Sequence, residues 1–151
     1  MKTIFISPLI AMCVLASCNN TPEEKINTLS GSWKLIESKT IKEKDTTIAF
    51  TDTSKTEMIK MFNDTDFAFF NHDKSKGKDS TAFFVSGSGK YILKGDQYRE
   101  NLQYCSLRDW EGKSFDFTLT MKGDTLIQKG IEHIPELNVD HEIIESYIRI
   151  R

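Results

Sequence analysis

Turn-forming residues recur about every ten residues from residue 29 onward, and the segments between them alternate apolar and polar side chains. This spacing predicts an all-β sandwich or barrel. The short connections leave antiparallel neighbours as the simple topology. Candidate strands span roughly 31–38, 46–51, 56–62, 66–71, 81–86, 89–94, 97–105, 113–121, 125–132 and 140–150.

Lys94-Gly95-Asp96 and Lys122-Gly123-Asp124 repeat one tripeptide between alternating segments. Gly followed by Asp suits a two-residue type II′ hairpin turn, because Gly accepts a positive φ at little conformational cost. A third stretch, Ser86-Gly87-Ser88-Gly89-Lys90, lacks the glycine and Ser/Thr positions that a phosphate-binding loop requires. We interpret it as a kink or bulge that lets a barrel strand bend sharply.

Period-two alternation separates an inner from an outer face in the second half of the chain. The residues that we expect to point inward are Tyr98, Glu100, Leu102 and Tyr104 in one segment and Phe115, Phe117, Leu119 and Met121 in another. Segment 140–150 also fits helical spacing. Its β-branched content and the need for a closing strand favour a strand.

The first 17 residues carry one charge, Lys2, before a run of mostly apolar residues. This is the pattern of a secretory signal peptide, since the run is shorter than the ~20 residues that span a bilayer. Leu15-Ala16-Ser17-Cys18 resembles a bacterial lipobox, which implies cleavage before Cys18 and attachment of acyl chains such as palmitate. An ordinary cleavage site with a coincidental cysteine is the alternative. Residues 18–28 are then a lipidated tether with a short helix that begins at Thr21 and Pro22.

The three cysteines form no intramolecular disulfide in this interpretation. Cys13 leaves with the signal peptide and Cys18 is lipidated, so Cys105 stands alone. An unpaired thiol in an oxidising envelope is usually buried, and we expect the same of Cys105.

Charge and motif spacing exclude several functional classes. With 20 basic and 22 acidic side chains and a formal net charge of −2, the chain lacks the basic stripe of a nucleic-acid-binding protein. His72, His133 and His141 lack metal-ligand spacing, and no Gly-x-Ser-x-Gly elbow supplies an acyl-transfer nucleophile. We therefore expect no nucleic-acid partner, metal, other cofactor or catalytic residue.

Gly31-Ser32-Trp33, at the start of the first predicted strand, resembles the first signature of the lipocalin group. In that group the Trp plugs one end of an up-and-down barrel, and an Arg from the final strand pairs with it. The resemblance therefore assigns Gly31, Trp33 and Arg149 as the structural signature. It implies an antiparallel up-and-down lipocalin-like β-barrel of about 8–10 strands over residues 29–151, preceded by the short N-terminal helix.

The wider pattern is similar to lipocalin-like lipoproteins of Bacteroidota, a family of mostly unassigned function. The matching motifs occur in order as Gly31-Ser32-Trp33, Ser86-Gly87-Ser88-Gly89-Lys90-Tyr91, Tyr98-Arg99-Glu100, Gly123-Asp124-Thr125-Leu126 and Tyr147-Ile148-Arg149. The other signatures of secreted animal lipocalins have no clear match, so the ligands of those proteins are not carried over.

Glu100 is the most informative interior charge, because buried carboxylates are costly unless they are paired. We hypothesise that it orients a polar ligand group inside an otherwise aromatic cavity. The candidate ligand-binding residues are Tyr98, Glu100, Tyr104, Phe115, Phe117, Tyr147 and Arg149. The alternative is structural: Arg149 caps Trp33, and Glu100 satisfies an interior hydrogen-bond network.

The leading functional hypothesis is a membrane-anchored, noncatalytic lipocalin-like protein that binds a small hydrophobic or amphipathic molecule in its barrel. The alternative is an envelope accessory protein whose barrel is filled by its own side chains and whose loops or outer surface bind a protein partner. An enzyme ranks third because no catalytic set is visible. The lipobox resemblance implies a lipid-anchored location in the cell envelope. We expect the outer membrane, with the inner membrane and the choice of periplasmic or surface face left open.

Overall fold

The computed structural model describes residues 29–43, 45–50 and 54–151. The predicted signal peptide, the lipidation site Cys18 and the predicted N-terminal helix lie outside the described residues. Within these ranges, no helix is long and apolar enough to cross a membrane. Two 3₁₀ turns, Arg108–Trp110 and Pro135–Leu137, are the helical elements of the described chain.

Nine strands of the described chain form one antiparallel sheet, which confirms the all-β prediction. Segment 140–150 is a strand, and the segments predicted at 81–86 and 89–94 are replaced by one continuous strand through the glycine-rich stretch. The strands are β1 Gly31–Lys42, β2 Asp45–Phe50, β3 Thr56–Phe62, β4 Asp66–Asp73, β5 Phe84–Lys94, β6 Gln97–Cys105, β7 Ser114–Lys122, β8 Thr125–Ile134 and β9 Val139–Ile150.

Pairing between β1 and β9 closes the sheet into a barrel. Consecutive strands from β3 to β9 are neighbours, and β1 completes the ring by pairing with β3 on one side and β9 on the other. The barrel therefore has eight strands in up-and-down order, consistent with a lipocalin-like barrel. Strand β2 lies outside this ring and forms a hairpin with the second half of β1.

The two ends of the barrel have different connections. At one end, which we call the closed end, the chain enters β1 and the tight turns at 63–65, 95–96 and 123–124 join strands. Gly95 and Gly123 have positive φ of 65° and 59°, as the predicted type II′ turns require. The other end, the open end, carries the longer connections at 74–83, 106–113 and 135–138.

A β-bulge in β6 reverses the alternation of inward and outward side chains. Ser88 pairs with Tyr104 and Gly89 with Leu102, so Gln103 is the extra residue. Leu102 consequently points inward, whereas Tyr104 lies on the outer face and is 66% exposed. The prediction of an interior Tyr104 is wrong, because the alternation does not continue through the bulge.

The glycine-rich stretch of β5 lies opposite this bulge, which agrees with its interpretation as a kink or bulge in a barrel strand. A Cβ on Gly89 would lie 1.9 Å from the Asn101 carbonyl oxygen, a distance that no side chain tolerates. A second bulge lies in β1, where Leu35 pairs with Tyr147 and Glu37 with Ser146, leaving Ile36 as the extra residue.

The closed end is plugged by Trp33, which is fully buried and donates from Nε1 to the Leu29 carbonyl at 2.8 Å. The Arg149 guanidinium lies 4.1 Å from the centre of the Trp33 ring and donates to the Ser30 carbonyl at 2.8 Å. A Cβ on Gly31 would lie 2.9 Å from Arg149 Nη1. The predicted signature of Gly31, Trp33 and Arg149 therefore forms one packed unit.

We expect Arg149→Met to lower the free energy of unfolding by about 2 kcal/mol, because it removes a shielded cation–π contact and a hydrogen bond. Arg99→Met is the matched control: Arg99 pairs with Asp116 on the surface, with side chains 52% and 73% exposed. Its loss is expected to stay within about 0.5 kcal/mol. Urea unfolding monitored by fluorescence measures both, and equal losses would contradict the plug assignment.

Candidate ligand cavity

The half of the barrel nearer the open end contains a cavity of about 230 Å³ that is partly open to solvent. This is below the ~300–1,000 Å³ of pockets for drug-sized ligands, so the cavity suits a compact molecule. Its apolar walls are Met58, Phe69, Val85, Leu102, Phe115 and Ile143, and Cys105, Leu107 and Trp110 cover it toward the open end. Its polar lining is Lys60, Asn71, Glu100, Gln128, Glu132 and Glu145.

Larger depressions lie outside the barrel. One, of about 580 Å³, is lined on the outer face by side chains such as Asp116 and Lys129. Another, of about 610 Å³, lies among polar residues of the open-end connections, including Ser75 and Thr81. We favour the interior cavity as the site because it combines buried apolar walls with buried ionisable groups, which is the composition of small-molecule sites.

The floor of the cavity is a buried ion pair between Lys60 and Glu100, which are 3% and 7% exposed. Lys60 Nζ also donates to Gln128 Oε1 at 2.9 Å, and the Tyr98 hydroxyl donates to Glu100 Oε1 at 2.8 Å. The ammonium group lies 5.3 Å from the centre of the Phe67 ring. Each charge is thus compensated where it is buried, as an interior ion pair requires.

Two further glutamates line the cavity from β8 and β9. Glu145 accepts a hydrogen bond from the Tyr147 hydroxyl at 2.6 Å, and Glu132 lies 3.1 Å from His141 Nε2. Burial, together with the charges of Glu145 and Glu100, raises the pKa of Glu132 to about 8. Burial also raises the pKa of Glu145. Both carboxyl groups are therefore harder to ionise than an exposed glutamate.

The cavity brings together only part of the predicted ligand-binding set. Glu100 and Phe115 line it. Tyr98, Phe117 and Tyr147 are buried in the surrounding core. Arg149 lies at the plug on Trp33, which supports the structural alternative for that residue. Tyr104 lies outside the barrel.

Sequence reasoning missed Lys60, Asn71 and Gln128. One sequence feature could have indicated that Lys60 points inward: it shares its parity in β3 with Met58 and Phe62, which also point inward. However, the run from Met58 to Phe62 is apolar at both parities, so the inner face of β3 is ambiguous from sequence.

Cys105 is a free, buried thiol, as predicted. Each of the three histidines has a different hydrogen-bond partner. His72 contacts the Asp73 carbonyl, His133 contacts Asp140, and His141 contacts Glu132. The described residues contain no group of His, Cys, Asp and Glu side chains arranged to hold a metal ion.

We expect Lys60→Met to lower the free energy of unfolding by about 3–5 kcal/mol, because it leaves the Glu100 carboxylate buried without its cation. The double variant Lys60→Met/Glu100→Leu removes both charges and should regain at least half of that loss. Urea unfolding of the two variants measures the difference. A double variant as unstable as the single one would show that the pair does not act as a unit.

The raised pKa of Glu132 predicts a loss of stability as pH rises from 5 to 8. Over this window the unfolded chain releases the Glu132 proton while the folded chain keeps it, so rising pH favours the unfolded state. We expect Glu132→Gln to reduce this fall by on the order of 1–2 kcal/mol. Glu136→Gln is the control, because Lys113 lowers the pKa of Glu136 and places its titration below the window. Equal pH profiles for wild type and Glu132→Gln would contradict the assignment.

Comparison with protein-family models and with curated proteins finds no match for this chain. The case for a function therefore depends on the geometry of its own residues.

Proposed function

We propose that this chain is a membrane-anchored, noncatalytic, lipocalin-like protein of the cell envelope that binds a small, partly apolar molecule inside its barrel. The observation that carries the proposal is the interior cavity, whose apolar walls enclose a small number of placed polar groups. A barrel filled by its own side chains would have no space of about 230 Å³ between those walls.

A binding role fits the cavity better than a catalytic one. The buried Glu100 is committed to Lys60 and Tyr98, and no serine or histidine lines the cavity among the described residues. Cys105 lines it, but its thiol is buried within the hydrophobic core, as is typical of structural cysteines.

The lipobox resemblance around Cys18 supports a lipid anchor and an outer-membrane location in the cell envelope. The chain enters the barrel at Leu29, beside the plug at the closed end. An anchor on residues 18–28 would therefore attach to the closed end. The mouth of the cavity, near Leu107 and Trp110, would then face away from the bilayer.

A second candidate is an envelope accessory protein that binds a partner through its outer surface. Met61, Phe70 and Tyr104 favour it, because they are exposed by 44%, 41% and 66% and line one depression on the outer face of the barrel. Exposed aromatic side chains that share a surface often mark protein contacts. The two candidates differ in whether the interior or the exterior is occupied.

Native mass spectrometry of residues 19–151 purified from cells separates the two candidates. We expect extra mass that disappears on denaturation. We expect Val85→Phe, which fills part of the cavity, to lose that mass, while Ile92→Phe on the outer face retains it. A polypeptide mass without ligand in wild type, or equal retention by both variants, would favour the accessory protein.

A further inference from the structure

Three polar side chains at the floor of the cavity come from three different strands and meet at one nitrogen atom. Lys60 Nζ, on β3, donates to Gln128 Oε1 of β8 at 2.9 Å and to Glu100 Oε1 of β6. Lys60, Gln128 and Glu100 are only 3%, 2% and 7% exposed, and all three line the cavity. Because the Gln128 amide and the Glu100 carboxylate bind the same nitrogen, their head groups lie side by side.

The contact with Lys60 also fixes the orientation of the Gln128 amide. An ammonium group donates and never accepts, so the atom that faces Lys60 is the amide oxygen, and the NH₂ group lies on the other side. Among the described residues, none accepts a hydrogen bond from this NH₂ group. Gln128 Nε2 is therefore a donor whose capacity the protein does not use.

Glu100 has an unused acceptor in the same way. Its Oε1 accepts hydrogen bonds from Lys60 and from the Tyr98 hydroxyl, whereas its Oε2 accepts none from the described chain. Of the described side-chain N and O atoms that are buried and lack a partner, only Asn71 Oδ1 is completely enclosed. Gln128 Nε2 and Glu100 Oε2 therefore keep accessible surface, and this surface faces the cavity that their residues line.

From this adjacent donor and acceptor we infer that the ligand carries an uncharged amide-type head group, whose C=O accepts from Gln128 Nε2 and whose N–H donates to Glu100 Oε2. Its hydrocarbon part packs on the apolar walls of the cavity. This inference rests on the proposed function and specifies its ligand class. A lactam has the required arrangement, because its ring holds N–H and C=O on the same edge. Each of the two buried groups then gains the partner that buried polar groups normally have.

Charge disfavours an ionised head group at the same place. The Lys60 ammonium is surrounded by its two acceptors and by the rings of Phe62, Phe67 and Tyr98, whose centres lie 5.3–5.6 Å away. A ligand anion would meet the Glu100 carboxylate, and a ligand cation would lie close to the ammonium that is already there. Lys60 and Glu100 compensate one another's charge, and a neutral head group leaves that balance unchanged.

The other two glutamates of the lining do not offer the same pair of atoms. Glu145 accepts from the Tyr147 hydroxyl at 2.6 Å, and Glu132 lies 3.1 Å from His141 Nε2. Neither is hydrogen-bonded to a described side-chain amide that could supply the donor. The floor of the cavity is therefore where we place the head group.

The test compares three probes that share a seven-membered ring: ε-caprolactam, ε-caprolactone and azepane. The lactone keeps the carbonyl but lacks the N–H, and azepane is a cation without a carbonyl. Binding to the full chain in phosphatidylcholine nanodiscs is measured by ligand-detected NMR titration at pH 7, with empty nanodiscs as the blank. We expect the lactam to bind at least tenfold more tightly than either analogue, because a site built around a hydrogen bond rejects molecules that cannot make it.

Two variants assign the two contacts separately. Glu100→Gln places an NH₂ donor where Oε2 accepts, so it should remove the preference for the lactam over the lactone. Gln128→Met removes the donor to the carbonyl, so it should weaken lactam and lactone alike, by roughly three- to tenfold. Glu136→Gln and Gln97→Met are the matched controls at exposed positions, and both should leave the two affinities unchanged.

The remaining outcomes separate the amide assignment from the proposed function. Equal binding of lactam and lactone that Val85→Phe abolishes would establish a ligand site in the cavity and overturn the amide assignment. Tightest binding by azepane, or a lactam preference that survives Val85→Phe, would also overturn it. If none of the three probes binds, the amide assignment is overturned, and the native mass spectrum of the wild type decides the proposed function separately. The wild-type comparison requires no variant, so it remains decisive even if Glu100→Gln misfolds.

Discussion

The pairing of β1 with β9 is the contact on which the interior of this protein depends. It converts an open sheet into a closed barrel and places Trp33 directly opposite Arg149. A one-residue slip in that register would turn every inward side chain of β9 outward, so the stack of Arg149 on Trp33 also fixes the register. The pairing of β1 with β9 therefore forms both the plug at the closed end and the cavity nearer the open end.

Closure creates an interior whose composition is unusual for a packed core. Apolar side chains of the same volume would stabilise a barrel at least as well as a buried ion pair. Lys60 and Glu100 compensate each other, and Glu132, Glu145 and Asn71 add further polar residues to the lining of the cavity. Burial raises the pKa of Glu132 and of Glu145, which reflects the free-energy cost of keeping carboxylates there. That cost favours a binding cavity over an interior that serves stability alone.

Sequence patterning was sufficient for the architecture because turns and alternation are local properties. The Gly-Asp hairpins and the closing strand β9 were predictable on that basis, whereas the Trp33–Arg149 pair was implied by the resemblance to lipocalins. Tyr104 was not, since the bulge at Gln103 depends on how β5 and β6 pair. An inward-pointing Lys60 was not predicted, because apolar residues flank it at both parities of β3 and the sequence does not show which face is the inner one. The candidate site depends on which strands face one another across the barrel, and that information is nonlocal.

The rim of the barrel shows how the cavity keeps its shape at the open end. Asp73, at the end of β4, is 7% exposed and accepts hydrogen bonds from the backbone N–H groups of Gly77 at 2.9 Å and Phe83 at 3.0 Å. Hydrogen bonds from Ser75, Gly77 and Phe83 lower the pKa of Asp73 to about 2, so the carboxylate stays charged at neutral pH. One carboxylate thus holds both ends of the long 74–83 connection in place. That side of the rim is therefore fixed, whereas on the 106–113 connection Leu107 lines the cavity and is 48% exposed.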